Sequence, residues 1–208
     1  MRTPERPEEE VPRPERPNKA GVLLVLAGPS GVGKGAIGKE LLRRDPDLTW
    51  SVSATTREPR EGEVDGVDYH FVTPEEFIAL RDNDGFLEWF EVFGQLKGTP
   101  RAPVEERLAA GRDVLLEIDV QGAMAVREQI PDALLVFVRA PSREVQRERI
   151  IARGADDEEQ LARRLAGAEA EEALADRFDA VVVNDDLGTA VDEVAAILAS
   201  RRRAAPDQ

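Results

Sequence analysis

The chain has 208 residues, 41% of them hydrophobic, with a formal net charge of −14 and no cysteine. That length suits one compact α/β domain with small inserts, the acidity argues against a general nucleic-acid binder, which would present a basic face, and the lack of cysteine removes disulfide frameworks and thiolate metal sites. No apolar run approaches the ~20 residues that span a bilayer, and the N-terminus lacks the core of a signal peptide, so a cytoplasmic protein without a membrane partner is expected.

Residues 1–19 are rich in Pro, Glu and Arg, and Val11 is their only large aliphatic residue after Met1. Such a segment buries too little apolar surface to offset its ordering entropy, which predicts a disordered tail ahead of a domain over residues 20–203. An unbroken apolar run, Val22–Ala27, then enters Gly28-Pro29-Ser30-Gly31-Val32-Gly33-Lys34. In the spacing G-x-x-x-x-G-K, glycines let successive N–H groups converge on an anion, and the Lys ammonium reaches the outer phosphates. Ile37, Leu41 and Leu42 recur at helical spacing after the loop, and Asp45-Pro46 stops that helix. Strand, loop and helix stand in the order the motif requires, so residues 28–35 are expected to cradle nucleotide phosphates at a helix N-terminus. An ordinary glycine turn is the bland alternative. The hydroxyl residue that usually follows the Lys and touches Mg²⁺ is replaced by Gly35, and Ala36 follows. Mg²⁺, which keeps several waters readily, is then expected to be held through water or through the phosphates.

From Trp50 to Arg101 the rhythm changes. Short β-like pieces, Ser51–Thr55, Tyr69–Val72 and Phe86–Phe93, surround a short helix at Pro74–Arg81. An insert of this length, 51–101, points to a functional subdomain. Beyond it come the continuous apolar runs Val114–Ile118, Leu134–Val138 and Ala180–Val183. With Val22–Ala27 they predict four central strands of a parallel sheet covered by helices on both faces. Helices are expected at Pro103–Ala110, at Gly122–Gln129, from a Ser142 cap to near Gly154, over a charged stretch Asp157–Asp176, and at Leu187–Arg202. Arg201-Arg202-Arg203 reads as a solvated helix end that suits the dipole.

Phosphoryl transfer needs two anionic ligands held in line with their charge offset. Arg57 and Arg60, three apart in a Pro-stiffened loop, form either a bidentate phosphate clamp or a pair of surface arginines. Glu88, inside an aromatic run, either accepts from the N–H edge of a purine or lies on the outer face of an amphipathic strand. Glu117 and Asp119 end a buried strand, where α/β proteins bind ligands; capping of the next helix is the other reading for each. They reach the same side only if the strand ends there. His70, the single histidine, reads as structural or surface, with no second His or Cys to complete a metal site.

Taken together these residues resemble the guanylate kinase family. The matching segments are Gly28–Lys34, 51–60, Gly62-Glu63, Gly66–Tyr69, 86–89, 117–122, Arg149, Arg153-Gly154 and Val183–Asp186, in family order over about residues 20–203. The resemblance implies a P-loop NTPase-like α/β core (20–50 and 102–203), a small mixed α+β GMP-binding insert (51–101) and a helical lid (154–169). It implies ATP-dependent phosphorylation of GMP, and of dGMP, to GDP with Mg²⁺, by direct in-line transfer, in a monomer or homodimer. By resemblance, Ser53, Glu88 and Asp119 contact guanine, with Thr99 nearby, and Arg57, Arg60 and Tyr69 hold the GMP phosphate. Lys34, Arg149 and Arg164 surround the transferred group, with Arg57 close to it. Arg153 and Asn184 lie toward the adenine and ribose of ATP. Lys97 stands where the family usually has a second Tyr on the GMP phosphate, and Glu117 where Asp is frequent, near Mg²⁺. A kinase of a phosphorylated ribose would not need Ser53, Glu88 and Asp119 together, and a non-catalytic relative would lack Lys34 and the arginines.

Overall fold

The computed structural model describes residues 20–92, 94–152 and 167–204. The expected 1–19 tail, Arg153, Arg164 and residues 154–166 of the expected lid lie outside these residues. The main sheet has five parallel strands: β1 (Leu23–Ala27), β2 (Leu48–Trp50), β7 (Asp113–Glu117), β8 (Leu134–Arg139) and β9 (Ala180–Val183), in the spatial order β2-β7-β1-β8-β9. Because strand side chains alternate, β1 feeds two layers. Leu24 and Leu26 pack with Ile37 and Leu41 of α1 (Lys34–Arg44) and with Val191, Val194 and Leu198 of α7 (Leu187–Ala204). Leu23, Val25 and Ala27 pack with Val104 of α3 (Arg101–Ala109) and with Ala123 and Val126 of α4 (Val120–Gln129). Two further helical segments are α5 (Arg143–Ala152), whose Ile150 lies against Gly31 of the loop after β1, and the described part of α6, residues 167–172.

Two expectations about these strands change. Leu48–Trp50 adds an edge strand that the sequence reading missed, and Ala180–Val183 is the opposite edge rather than a central strand, with Val181 37% and Val183 45% exposed. The charged helix expected to reach Asp176 ends earlier, because residues 175–177 form a 3-10 turn.

The insert has its own four-stranded sheet, β4 (His70–Phe71), β3 (Ala54–Thr55), β6 (Gln95–Pro100) and β5 (Phe86–Val92) in spatial order, parallel only between β3 and β4. Helix α2 (Pro74–Asp82) starts in a capping box between Thr73 and Glu76 and places Phe77 against Phe86, ring centroids 4.3 Å apart. Leu87 leaves this small core and is fully buried in the α3–α4 layer of the main domain, which couples the insert to the sheet.

The expectation of a solvated Arg201–Arg203 end fails at Arg202. Its Nε donates to Asp113 Oδ2 at 2.6 Å, and Nη2 stands 2.7 Å from Asp45 Oδ2. Asp113 is 2% exposed and also accepts from the Val22 N–H at 2.7 Å, so one carboxylate ties the terminal helix to the start of β1. Removing Asp113 leaves the buried Val22 N–H without its acceptor and Arg202 with Asp45 alone, at about 1–3 kcal/mol. Asp113→Ala should therefore lose about that much in urea unfolding; a loss below about 1 kcal/mol would show the network to be dispensable.

Candidate active site

The loop after β1 is held from behind. Asn184 Nδ2 donates to the Val32 carbonyl at 2.7 Å, Gln146 Nε2 to the Ser30 carbonyl at 2.8 Å, and Arg149 Nη1 to the Asn184 carbonyl at 2.9 Å. Lys34 Nζ donates to the carbonyls of Gly28 (2.5 Å) and Pro29 (3.0 Å). With these carbonyls engaged inside the protein, the loop can turn its N–H groups outward, as an anion nest requires. Gly33 closes the loop at φ 90, and a Cβ there would stand 2.4 Å from Asn184 Nδ2. Gly28 has φ 143 and approaches the Val138 carbonyl so closely that a Cβ would sit 2.1 Å from its oxygen. Only glycine fits either place. Val32 and Pro29 are buried, so both can serve a ligand only through the backbone.

In front of the loop lies a cleft of about 690 Å³ at the carboxyl ends of β1 and β7. Its walls include Gly28, Ser30, Gly31, Gly33 and Lys34 from the loop, Ser53, Tyr69 and Lys97 from the insert, and Glu117 and Asp119 from the end of β7. Strand β7 stops at Glu117, which lets both acids face one space. Asp119 also caps α4, accepting from the Gly122 N–H at 2.7 Å, so the capping reading holds for it alongside its place on the wall. Gly35 is off the wall but adjoins it: a Cβ there would lie 3.2 and 3.4 Å from the two Glu117 carboxylate oxygens.

Glu88 is 4% exposed, which removes the outer-face reading. Its Oε1 accepts from Thr99 Oγ1 at 2.6 Å, while Oε2 is buried without a hydrogen-bond partner and stands 3.1 Å from where a Gly122 Cβ would be. Burial pushes the carboxyl pKa up, and neighbouring Asp119 adds to this; the Thr99 hydroxyl and the Lys97 charge oppose it. An unpartnered buried acceptor beside Asp119 is a place for a ligand's N–H donors.

Arg57 is not a free surface side chain and is off the cleft wall. Nη1 and Nη2 donate to the two oxygens of Glu63 at 2.9 and 2.8 Å, and the guanidinium lies 5.4 Å from the Tyr69 ring centroid. Glu63 raises the Arg57 pKa further, and is itself held below the usual carboxylate range by Arg57. Lys97 Nζ approaches the same ring, 5.1 Å from its centroid and 3.4 Å from the Tyr69 hydroxyl. Two cations thus flank one phenol at the insert end of the cleft. Arg60 is exposed and gives its backbone N–H to Glu63. Arg149 and Asn184 line a second cavity of about 370 Å³ behind the loop, with Gly31, Gly33 and Leu187.

Sequence reasoning missed Lys39 and Glu171 on the cleft wall, and Gln146 under the loop. Burial and Asp119 raise the pKa of Glu171, and Lys34 opposes them. Ala168, Glu171 and Ala175 recur at helical spacing, with both alanines buried, a pattern that could have turned Glu171 inward.

A family profile described as guanylate kinase matches residues 20–201. The guanylate kinase of Gloeobacter violaceus is 56% identical over 176 residues, which cover 85% of this chain and 86% of that one. That of Carboxydothermus hydrogenoformans is 46% identical over 182 residues, covering 88% and 89%. The crystal structure of guanylate kinase from Anaplasma phagocytophilum aligns with a TM-score of 0.70 at 34% identity, covering 88% of this chain and 86% of that chain.

Proposed function

The chain belongs to the guanylate kinase family, and from that membership we propose how its cleft carries out the ATP-dependent phosphorylation of GMP to GDP. The observation that supports the reading best is that one cleft is walled by the phosphate loop on one side and by Ser53, Tyr69 and Lys97 of the insert on the other. Such a space takes two nucleotides with their phosphates facing each other.

ATP is the nucleotide of the loop. The N–H groups of residues 28–35 and the Lys34 ammonium hold its outer phosphates, and Arg149, one bond from Asn184 beneath the loop, adds charge there. GMP is the nucleotide of the insert. Glu88 and Asp119 accept from the guanine N–H edge, with Ser53 beside them and Thr99 fixing Glu88. Arg57, Arg60, Tyr69 and Lys97 take the GMP phosphate, for which Glu63 holds Arg57 in place. A phosphate monoester is already ionised at neutral pH, so its oxygen attacks the γ phosphorus directly, without a histidine base and without a covalent intermediate. Catalysis is then positioning and charge stabilisation. Phosphoryl transfer from a γ-phosphorus made chiral with thiophosphate and oxygen isotopes should invert configuration; retention would mean a phosphoenzyme and overturn direct transfer.

The residues present fit Mg²⁺. The Glu117 carboxylate stands where a hydroxyl side chain at position 35 would project, and carboxylate oxygen suits a hard cation. Glu117 would hold the ion, with waters, beside Lys34. When bound, Mg²⁺ offsets charge on the β and γ phosphates. The substrates are ATP and GMP. Among the described residues no helix is long and apolar enough to cross a membrane.

A further inference from the structure

Strand β5 is irregular at the residue that faces guanine. Phe86 opposes Pro100, but Glu88 opposes Thr99, so Leu87 is the extra residue of a β-bulge. A bulge leaves one residue outside the ladder, and near active sites it re-aims a side chain. Here the carbonyl of Leu87 is taken by the end of a core helix: Gln129 Nε2, the last residue of α4, donates to it at 2.6 Å. The other end of that carboxamide is fixed too, because Gln129 Oε1 accepts from Arg101 Nη2. Arg101 also donates to the carbonyls of Asp84 (2.8 Å) and Phe86 (3.1 Å), so three carbonyls on the approach to Glu88 are held by two side chains.

Helix α4 therefore meets the reading strand at both ends. Its N-terminus carries Asp119 as cap and Gly122, which stands against Glu88 Oε2. Its C-terminus carries Gln129, which holds Leu87. Between them the Leu87 side chain is buried against Ala123 and Val126 of the same helix layer. The spacing between the two guanine acceptors is thus set by how the bulge sits on α4. We infer that Gln129, oriented by Arg101, is a positioning residue for guanine recognition: it fixes the bulge that aims Glu88 toward Asp119. The inference rests on the reading of Glu88 as the guanine acceptor.

Steady-state kinetics on the full chain test it, with GMP and AMP as acceptors and ATP varied. Gln129→Met removes both bonds, and Gln129→Glu keeps the acceptor for Arg101 but loses the donor to Leu87. Both should raise KM for GMP about tenfold and lower the preference for GMP over AMP, with KM for ATP and kcat within about twofold of the parent. A lowered melting temperature with unchanged KM for GMP would reduce Gln129 to a structural contact and overturn the inference. If Gln129→Met does not fold, Gln129→Glu, with its matching shape, decides the matter. Glu88→Gln run alongside separates the two claims. If it leaves the GMP preference intact, the guanine reading itself fails; if it lowers that preference while the Gln129 variants do not, only the positioning role fails.

Discussion

Replacing Lys34 with Ala should lower kcat by about 10³-fold while the chain keeps its fold. Lys34 is clipped to the Gly28 and Pro29 carbonyls at the head of α1, on the wall of the cleft. The ammonium thus stands where the helix N-terminus and the loop N–H groups favour anions, the place proposed for the γ phosphate. Losing the clip removes two hydrogen bonds, at about 1 kcal/mol of stability each. Turnover should collapse far beyond any change in melting temperature. An ADP-release assay on the variant, with circular dichroism to confirm folding, checks this. Near-normal turnover would remove the loop from the chemistry.

Glu88→Gln should lower kcat/KM for GMP about 10²-fold and leave KM for ATP nearly unchanged. The carboxamide keeps one acceptor but turns an N–H₂ group toward guanine donors, which leaves buried donors opposed. The pH dependence carries a second signature. Burial raises the Glu88 pKa above the ordinary carboxylate value, so the protonated acid is favoured in the fold. Its contribution to stability is present below the unfolded pKa and is lost as pH rises through the raised folded value. Guanine binding has the opposite sign, because only the carboxylate accepts two N–H groups. GMP affinity should therefore fall as pH drops through the raised pKa, and at a higher pH than an ordinary carboxylate would give. Lys97, Asp119 and Thr99 face Glu88 in parent and variant alike, so the difference between the two pH profiles isolates Glu88. Parallel profiles would contradict the assignment.

The phosphate loop was legible in the sequence because its glycines answer local demands: Gly33 must reach φ 90, and Gly28 must press against Val138. The buried strands were legible as continuous apolar runs. What the sequence hid is what depends on distant partners. Strand β2 is three residues long with only Leu48 buried, too short to show a period. Strand β6 is interrupted by Gly98 and Pro100, residues that weaken a strand pattern, yet it pairs with both β3 and β5. Gln146 supports Ser30 across 116 residues, and nothing near Gln146 in the chain signals that bond. Arg202 looked solvated because Asp45 and Asp113 meet it only in the fold. At Glu88, periodicity could place the residue on a strand but not say which side the bulge at Leu87 would turn it to.

On the proposed function, guanine sits between Glu88 and Asp119 while the loop presents ATP to the attached phosphate. A coupled ADP-release assay, with MgATP and GMP, dGMP, AMP, UMP or ribose phosphates offered in turn, tests it most directly. Rapid turnover is expected with GMP and dGMP, and kcat/KM at least about 10³-fold lower with AMP and the others. Comparable turnover of AMP, or a ribose phosphate accepted as well as GMP, would contradict it.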